Sequence, residues 1–415
     1  MSHTLLLYGA TGYSGRLIAA EWARAAIGPG ASDRMVLAGR DGRSVAKLAA
    51  EHGMDFRVFG IDDRRDVIRG LSEIDVVINA AGPFALTAGH LARGALAAGC
   101  HYVDISGEAE VYMRIDDLGR HAVQRRLGMV CSAGHTAAAS DLLLRAALQE
   151  LRPGGGDYGG DGPVRLGAVR IASSRLSTLS RGSLETLIRA VREQVRVVRG
   201  WEAEDPSGTI RRQHTLWYEP VGKLERTFDF SVPMNAGRAR IRDRKRDDRI
   251  ASAASLVDTL TARLTVERNG FLAQRIESYV EAGSVSRLVY QFAPLISPVA
   301  ALPWFRDLAR LQLNALPAGP TPDERRRETH VTVLEIEDRF QTRIVHWGWH
   351  TPNAYDFTAQ VVIGVAAVLA KGERYGWLTP AEVLQPAKAD LSANRGYLRG
   401  CRLHEHRSQV LEAES

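Results

Sequence analysis

The clearest hydrophobic pattern in the chain lies in its first residues. The apolar run from Leu5 to Tyr8 has no helical period, which predicts a buried parallel strand, and it stops at Gly9. A stretch typical of a helix follows from Arg16 to Ala26. Between the two, glycines at every third position form the pattern Gly-x-x-Gly-x-x-Gly. Strand, glycine turn and helix in this order indicate a dinucleotide-binding turn.

The same alternation continues through the first part of the chain. Apolar strands are predicted at 34–39, 55–59, 75–79, 101–108 with its loop, and 128–132. Helices are predicted at 88–98 and 111–126, and a further helix runs to residue 151. Ser140 and Asp141 are expected to cap the start of that helix. Six strands that alternate with helices predict a doubly wound parallel sheet of the Rossmann type.

Beyond a glycine-rich insert at 153–163 the pattern changes. Strands are predicted at 164–172, 225–232, 263–266 and 330–337, and helices at 183–197 and 249–260. Strands without regular crossovers are typical of a second, α+β domain with a mostly antiparallel sheet. The apolar stretch 355–370 and a helix start at Thr379 predict C-terminal helices, and 404–406 is expected to fray. The predicted domains are 1–134, 135–350 and 351–415.

The glycine turn has a predicted role in cofactor binding. Gly9 allows a tight turn, Gly12 lets the backbone approach a pyrophosphate, and Gly15 lets the helix lie close to the strand. The cofactor-binding residues predicted in this turn are Gly9, Ala10, Thr11, Gly12, Tyr13, Ser14 and Gly15. Those predicted beside the nicotinamide ribose, after the fourth strand, are Ala81, Gly82, Pro83 and Phe84.

The end of the second predicted strand favours NADP over NAD. An acid at that position would bind the ribose 2′-hydroxyl, whereas an arginine accommodates a 2′-phosphate. The strand ends in Gly39 and Arg40, and two further cations follow on the next helix. Asp41 is the contrary residue, but it lies one step past the strand end. Asp62, at the start of a predicted helix, is a further candidate for contact with the adenine edge.

Composition and charge narrow the possible partners. A chain of 415 residues is too long for one compact core, so two domains are expected. The 54 basic residues are interspersed with acids, which argues against nucleic-acid binding despite a net charge of +6. Three scattered cysteines without a Cys-x-x-Cys pair, and no signal peptide, favour a reducing, cytoplasmic setting. The apolar stretch 288–305 is too broken to span a bilayer, although contact with a lipid surface stays open.

Several short motifs resemble one family of oxidoreductases. The turn at 8–16, the strand end 38–40, the segment 81–84 and the loop 102–108 resemble the saccharopine dehydrogenase-like oxidoreductases, including the trans-acting enoyl reductases. The similarity continues, in the family's order, through 180–183, 319–325, 351–355 and 378–381. It implies an NADP-binding domain, a substrate domain with a mixed sheet, and C-terminal helices that return to the first domain.

The loop at 134–141 departs from that family. It keeps the glycine and the Ser-Asp pair of the enoyl reductases but lacks their aromatic residue, acid and proline, so the substrate and the proton donor are open to change. His135 in this loop is the leading catalytic candidate, because the pKa of a histidine can lie near neutral, and Tyr102 is the second. The residues predicted to contact substrate are Asp104, Glu108, Ser180 and Arg181. An Asp104 bonded to backbone amides would, however, have a structural explanation.

Three functions are compatible with these residues. The resemblance is closest to enzymes that use NADPH to reduce a conjugated carbon–carbon double bond in a lipid-like or polyketide-like substrate, and the apolar stretch 288–305 suits such a ligand. The alternatives are reduction of an amino-acid-derived imine, as in saccharopine reduction, and a non-catalytic nucleotide-binding module. A small-molecule substrate is expected and a homodimer is left open. No metal site is expected, because the cluster at 404–406 lacks a third ligand.

Overall fold

The computed structural model describes residues 2–25, 33–151, 164–175, 180–181, 195–204, 210–219, 224–231, 247–253, 257–282, 318–392 and 396–405. In its first part, strands and helices alternate. They are β1 (Thr4–Tyr8), α1 (Tyr13–Ala25), β2 (Arg34–Gly39), α2 (Gly42–His52), β3 (Asp55–Val58), α3 (Arg64–Gly70), β4 (Val76–Asn79), α4 (Phe84–Ala98), β5 (His101–Asp104), α5 (Ala109–Ile115), α6 (Leu118–Arg125), β6 (Gly128–Val130) and α7 (His135–Glu150).

The later part is richer in long strands. Its elements are β7 (Val164–Ser173), β8 (Val195–Glu204), β9 (Ile210–Glu219), β10 (Glu225–Asp229), β11 (Asp248–Ala253), α8 (Asp258–Arg268), β12 (Phe271–Glu281), α9 (Pro322–Arg327), β13 (Thr329–Asp338), β14 (Arg343–Pro352), α10 (Ala354–Ala370), β15 (Gly376–Leu378), α11 (Pro380–Leu384) and β16 (Arg402–Glu405). Two 3-10 helices, Lys388–Ser392 and Gly396–Leu398, lie before β16.

The first sheet is parallel throughout and has the order β15-β6-β5-β4-β1-β2-β3. Its central strand is apolar on both faces, and Leu7 lies between Leu37 and Ile78 with all three side chains fully buried. The strand order reverses between β1 and β4, which places a ligand crevice at their carboxyl ends. The predicted doubly wound parallel sheet is confirmed.

The second sheet is mostly antiparallel, as predicted. Its main path is β10-β11-β12-β7-β13-β14-β16, with β8 on β12 and β9 on β8. Among the strand pairs described in this second sheet, only β7 and β12 run parallel. One face of this sheet, including Val169 and Leu334, is buried in the same apolar cluster as Leu143 of α7 and Leu7 of β1. Helix α7 therefore shares one core with both sheets and carries its first residue to the boundary between them.

Four secondary-structure predictions were wrong. Residues 263–266 lie in helix α8 instead of a strand, and the predicted helix 249–260 divides into strand β11 and the start of α8. The predicted frayed tail forms strand β16 on β14 as far as residue 405. The predicted helix 111–126 is two helices, α5 and α6. Short β-branched runs fit both periods, and the tertiary partner decides between strand and helix.

The cap predicted at Ser140 and Asp141 is also corrected. Helix α7 begins at His135, so both residues lie inside it and both are buried. Asp141 instead accepts a hydrogen bond from the backbone N–H of Ala381, at 2.7 Å, and one from the Thr265 hydroxyl. Of the predicted helix 183–197, residues 195–197 lie in β8 and the remainder lies outside the described residues, as does the whole of the insert 153–163. The domain boundaries at 134 and 350 stay predictions.

Candidate active site

The glycine turn has the geometry that close approach by a diphosphate needs. Gly9 has a φ of +80°, and a Cβ there would lie 2.6 Å from the backbone nitrogen of Ala81. A Cβ on Gly15 would lie 2.3 Å from the Gly9 carbonyl oxygen, so helix α1 packs directly on the turn. At Gly12 the nearest atom would be that same carbonyl oxygen, at 3.3 Å, so this position is the most open of the three. The turn therefore fits a pyrophosphate above Gly12 and the N-terminus of α1.

The two charged residues at the end of β2, Asp41 and Arg40, have different surroundings. Asp41 is the N-cap of α2, where its carboxylate accepts hydrogen bonds from the backbone N–H of Arg43 and the hydroxyl of Ser44, at 3.1 and 2.6 Å. These bonds lower the pKa of Asp41. Arg40 is exposed beside it. Asp62 is exposed too, and its neighbour Asp63 is the N-cap of α3.

The segment after β4 packs against the glycine turn. Its backbone is fixed by Asn79, whose side-chain oxygen accepts from the N–H of Ala81 at 3.0 Å, and by Thr87, which donates to the Ala81 carbonyl at 2.5 Å. The peptide bond between Gly82 and Pro83 is cis, and α4 begins at Phe84. A Cβ on Gly82 would meet nothing within 4 Å, which leaves room for a ribose beside it.

A buried hydrogen-bond network lies beneath this segment. Asp104 is fully buried and accepts from the backbone N–H groups of Ser106 and Ser132, at 3.0 and 2.8 Å. Its carboxylate also accepts from the Tyr102 hydroxyl at 3.0 Å, and that hydroxyl accepts from the Asn79 amide at 3.1 Å. Burial and the carboxylate raise the pKa of Tyr102.

These bonds bear on two of the candidate site residues. The side chains of Tyr102 and Asp104 are fully buried and bonded to protein groups, so their roles at the site stay predictions. The structural explanation foreseen for Asp104 holds, and both residues position the loop that follows β5. Glu108 is partly buried at the N-cap of α5, and its side chain does not cap that helix.

His135 lies at the boundary between the two sheets. Its backbone N–H donates to the Thr358 hydroxyl at 2.9 Å, and its Nε2 is 3.0 Å from the Thr351 hydroxyl. The ring lies edge-on to Phe357, with centroids 5.3 Å apart, and 4.8 Å from the ring centroid of His330. Burial lowers the pKa of His135 well below its usual range, and His330 lowers it further. This shift runs against the near-neutral pKa on which the choice of His135 was based, and it favours the neutral imidazole.

His330 and its neighbours were missed at the sequence level. His330 pairs across the strands with Thr351, is 1% exposed, and bonds through Nδ1 to the Ser174 hydroxyl at 3.1 Å. Its Nε2 lies 4.0 Å from the carboxylate of Glu328. Burial lowers the pKa of His330, and Glu328 opposes that shift. Strand pairing brings these residues together, so spacing along the chain gave no signal for them.

The second-domain candidates adjoin the glycine turn. The backbone N–H of Ser180 donates to the Tyr355 hydroxyl at 2.6 Å, and that of Arg181 to the Ala318 carbonyl at 3.2 Å. The side chain of Tyr13 points to the same region, where its hydroxyl donates to the Pro320 carbonyl at 2.6 Å. The side chain of Tyr13 is thus engaged with the second domain, so Tyr13 would contact a cofactor phosphate through its backbone.

Comparison with known proteins agrees with this geometry. Residues 5–130 match the saccharopine dehydrogenase NADP-binding domain. Apo saccharopine dehydrogenase (L-Glu forming) from Saccharomyces cerevisiae has a similar structure, with a TM-score of 0.57 at 14% identity, over 98% of this chain and 100% of that one. So does homospermidine synthase from Legionella pneumophila in complex with NAD, with a TM-score of 0.54 at 11% identity, over 100% and 93%. No curated protein sequence matches.

At these identities the structural likeness concerns the fold alone. Among the residues that the structure describes, no helix is long and apolar enough to cross a membrane, and no group of three or more metal-ligating side chains comes together. Residues 5–130 match an NADP-binding domain, and sheets of this kind bind dinucleotides in the crevice at the carboxyl ends of their strands. The family match covers residues 5–130, which carry most of the first sheet, and the likeness to the solved structures shows that the fold is shared along the whole chain.

Proposed function

We propose that the protein is an oxidoreductase that prefers NADPH to NADH. The observation that carries this proposal is the difference between the two charged residues at the end of β2. Asp41 is engaged as the N-cap of α2, whereas Arg40 is exposed at the strand end. The carboxylate that would bind a 2′-hydroxyl is occupied, and the guanidinium that would bind a 2′-phosphate is available.

The residues that would hold the cofactor follow from the crevice. Gly12 and the N-terminus of α1 would take the pyrophosphate, Arg40 the 2′-phosphate, and Gly82 would face the nicotinamide ribose. Asp62 remains a candidate for the adenine edge. When bound, NADPH supplies a hydride. The protein's own part is to orient the acceptor and to stabilise the charge that develops on it.

For the acceptor we propose a conjugated carbon–carbon double bond. Hydride addition to its β-carbon leaves an enolate oxygen, which needs hydrogen-bond donors before the α-carbon is protonated. His135 is suited to donate without being charged, because a buried neutral imidazole can polarise an oxygen. The lipid-like or polyketide-like character of the substrate stays part of this proposal, since 288–305 lies outside the described residues. Contact with a lipid surface, a homodimer and a cytoplasmic location are likewise proposals.

A second acceptor, an amino-acid-derived imine, is favoured by a different observation. Glu328 places a carboxylate, with a side chain 10% exposed, 4.0 Å from His330. A buried carboxylate would stabilise a protonated imine, whose nitrogen is positive before hydride arrives. One structural relative is a saccharopine dehydrogenase, which agrees with this alternative.

The cofactor proposal is tested by titrating NADPH and NADH into the wild-type protein and following its fluorescence. Tighter binding of NADPH is expected, and Arg40→Ala should remove most of that preference while NADH affinity changes little. Arg69→Ala, which removes an exposed arginine from α3, is the matched control and should behave as wild type. Equal affinities for the two cofactors in the wild type would overturn the proposal.

The acceptor is tested by incubating the protein with NADPH and a panel of conjugated enoyl compounds and cyclic imines. Oxidation of NADPH by an enoyl compound supports the first candidate. Glu328→Gln separates the two, since it should slow imine reduction strongly and enoyl reduction little. No turnover of any acceptor together with tight NADPH binding would favour the non-catalytic nucleotide-binding module.

A further inference from the structure

Two tyrosines join the glycine turn to the second domain. The hydroxyl of Tyr13 donates to the Pro320 carbonyl at 2.6 Å and accepts from the Arg325 guanidinium at 3.2 Å. Its ring meets the ring of Tyr355 edge-on, with centroids 5.0 Å apart. Arg325 is held in turn by Asp356, through its Nε at 2.9 Å. A residue of the turn is thus fixed by groups far away along the chain.

The path of contacts closes on itself. The Tyr355 hydroxyl accepts from the backbone N–H of Ser180 at 2.6 Å, and the N–H of Arg181 donates to the Ala318 carbonyl at 3.2 Å. A Cβ on Gly319 would lie 2.7 Å from the ring of Tyr13, so that part of the chain lies directly against the ring. We call this closed path of contacts, which runs through Tyr13, Tyr355, 180–181 and 318–320, the tyrosine clasp.

The tyrosine clasp begins at the place where the cofactor would bind. Tyr13 is the first residue of α1 and follows Gly12, so its backbone is part of the surface offered to the pyrophosphate. Ser180 is 6% exposed, and its N–H would lose its acceptor if Tyr355 moved away. In a closed ring of packed groups and hydrogen bonds, a shift on one side changes the contacts on the other.

We propose that the tyrosine clasp couples dinucleotide binding at the glycine turn to the placement of Ser180 and Arg181. These two residues are the second-domain segment predicted to contact substrate, so cofactor binding would complete the substrate side of the site. Tyr13 and Tyr355 act in this as positioning residues. The proposal rests on the proposed function in one respect, because it takes NADPH as the ligand.

Amide hydrogen exchange tests this coupling directly, with NADPH as the probe. In the wild type, NADPH should slow exchange at the amides of Ser180 and Arg181. Tyr13→Phe keeps the aromatic packing and leaves the bond between Ser180 and Tyr355 in place. It should nevertheless remove most of the NADPH-induced protection of 180–181 and weaken NADPH binding by about three- to tenfold, the size of one or two hydrogen bonds. Tyr355→Phe should raise exchange at Ser180 even without NADPH.

Tyr397→Phe is a matched control. Tyr397 also donates to a backbone carbonyl, that of Leu384 at 3.3 Å, and a Cβ on Gly364 would lie 2.8 Å from its ring. It has no described contact with the glycine turn, so NADPH should protect 180–181 in this variant as in the wild type.

The outcomes separate the two proposals. NADPH binding with unchanged exchange at 180–181 would overturn the coupling and leave the proposed function standing. Equal losses of thermal stability in all three variants, with wild-type protection by NADPH in each, would mean a structural role alone and would also overturn it. A wild type that does not bind NADPH would overturn the proposed function and the coupling together.

Discussion

Two buried polar clusters lie near the carboxyl ends of the first sheet, and they differ in how far their groups satisfy one another. The Asp104 carboxylate accepts hydrogen bonds from two backbone amides and from the Tyr102 hydroxyl, so protein groups fill its hydrogen-bonding capacity. Around His135 and His330 the set is incomplete. The Nε2 of His330 is buried with no hydrogen-bond partner among the described residues.

The difference indicates which cluster supports the fold and which is available for chemistry. A saturated network has no capacity left for a ligand, and removing one member leaves the others unsatisfied. A buried polar atom without a partner costs about 1–3 kcal/mol, a cost that bound substrate could offset. Both clusters are equally hidden from solvent, so burial by itself does not separate scaffold from site.

The largest effect is expected at Asp104, on the free energy of unfolding. Asp104→Ala leaves buried donors from Tyr102, Ser106 and Ser132 without an acceptor, so the free energy of unfolding should fall by about 3–5 kcal/mol. Urea unfolding measures this. Asp41→Ala removes an exposed N-cap that accepts three hydrogen bonds, against four at Asp104, and should cost only about 1 kcal/mol. Similar losses in the two variants would contradict a special role for the buried network.

A smaller effect, on rate instead of stability, is expected at His135. His135→Phe removes the neutral donor but keeps an aromatic ring beside Phe357, so folding should be nearly unchanged. Turnover of the acceptor found with the panel should fall about a hundredfold, as for the loss of one oxyanion donor, with NADPH affinity intact. His330→Phe is the companion variant, since it tests the other half of the pair. Wild-type turnover in His135→Phe would show that the imidazole only packs.

The smallest expected effect is a pH dependence of stability that originates in the histidine cluster. The pKa of both His135 and His330 is lowered in the folded protein, so the unfolded chain binds more protons below about pH 6.5. Stability is therefore full above that pH and falls as the solution becomes more acid. His135→Phe should remove about 1–2 kcal/mol of the loss between pH 6.5 and pH 5. Unfolding curves at both pH values measure it, and an equal loss in variant and wild type would contradict the depressed pKa.

The first sheet and the cofactor turn were predictable from sequence because their signals are local. An apolar run such as Leu5 to Tyr8, followed by glycines at fixed spacing, leaves the backbone few choices. The predictions of a helix at 249–260 and a strand at 263–266, by contrast, failed because a run such as Arg263 to Val266 fits a helix and a strand equally well. There the packing of α8 against α7 decided the outcome.

The candidate site divides in the same way. Arg40 and Gly12 could be proposed as cofactor-binding residues from the sequence, since the roles proposed for them depend on residues a few positions away. His330, Glu328 and Thr351 were not, because they lie far from His135 along the chain (216 positions for Thr351), and the pairing of β13 with β14 brings them together. The sequence predicted that Tyr13 binds the cofactor as part of the glycine turn, and the structure adds that its hydroxyl donates to the Pro320 carbonyl.

By itself, then, the sequence determined the doubly wound sheet, the glycine turn and the arginine beside it, because hydrophobic period and glycine conformation act over neighbouring residues. The tertiary structure alone decided that Asp104 and Tyr102 are saturated by buried partners and that His135 is neutral. It also decided that the turn is joined to 180–181 through two tyrosines. Burial and hydrogen-bond partners come from segments distant in the chain, and no spacing along the sequence encodes them.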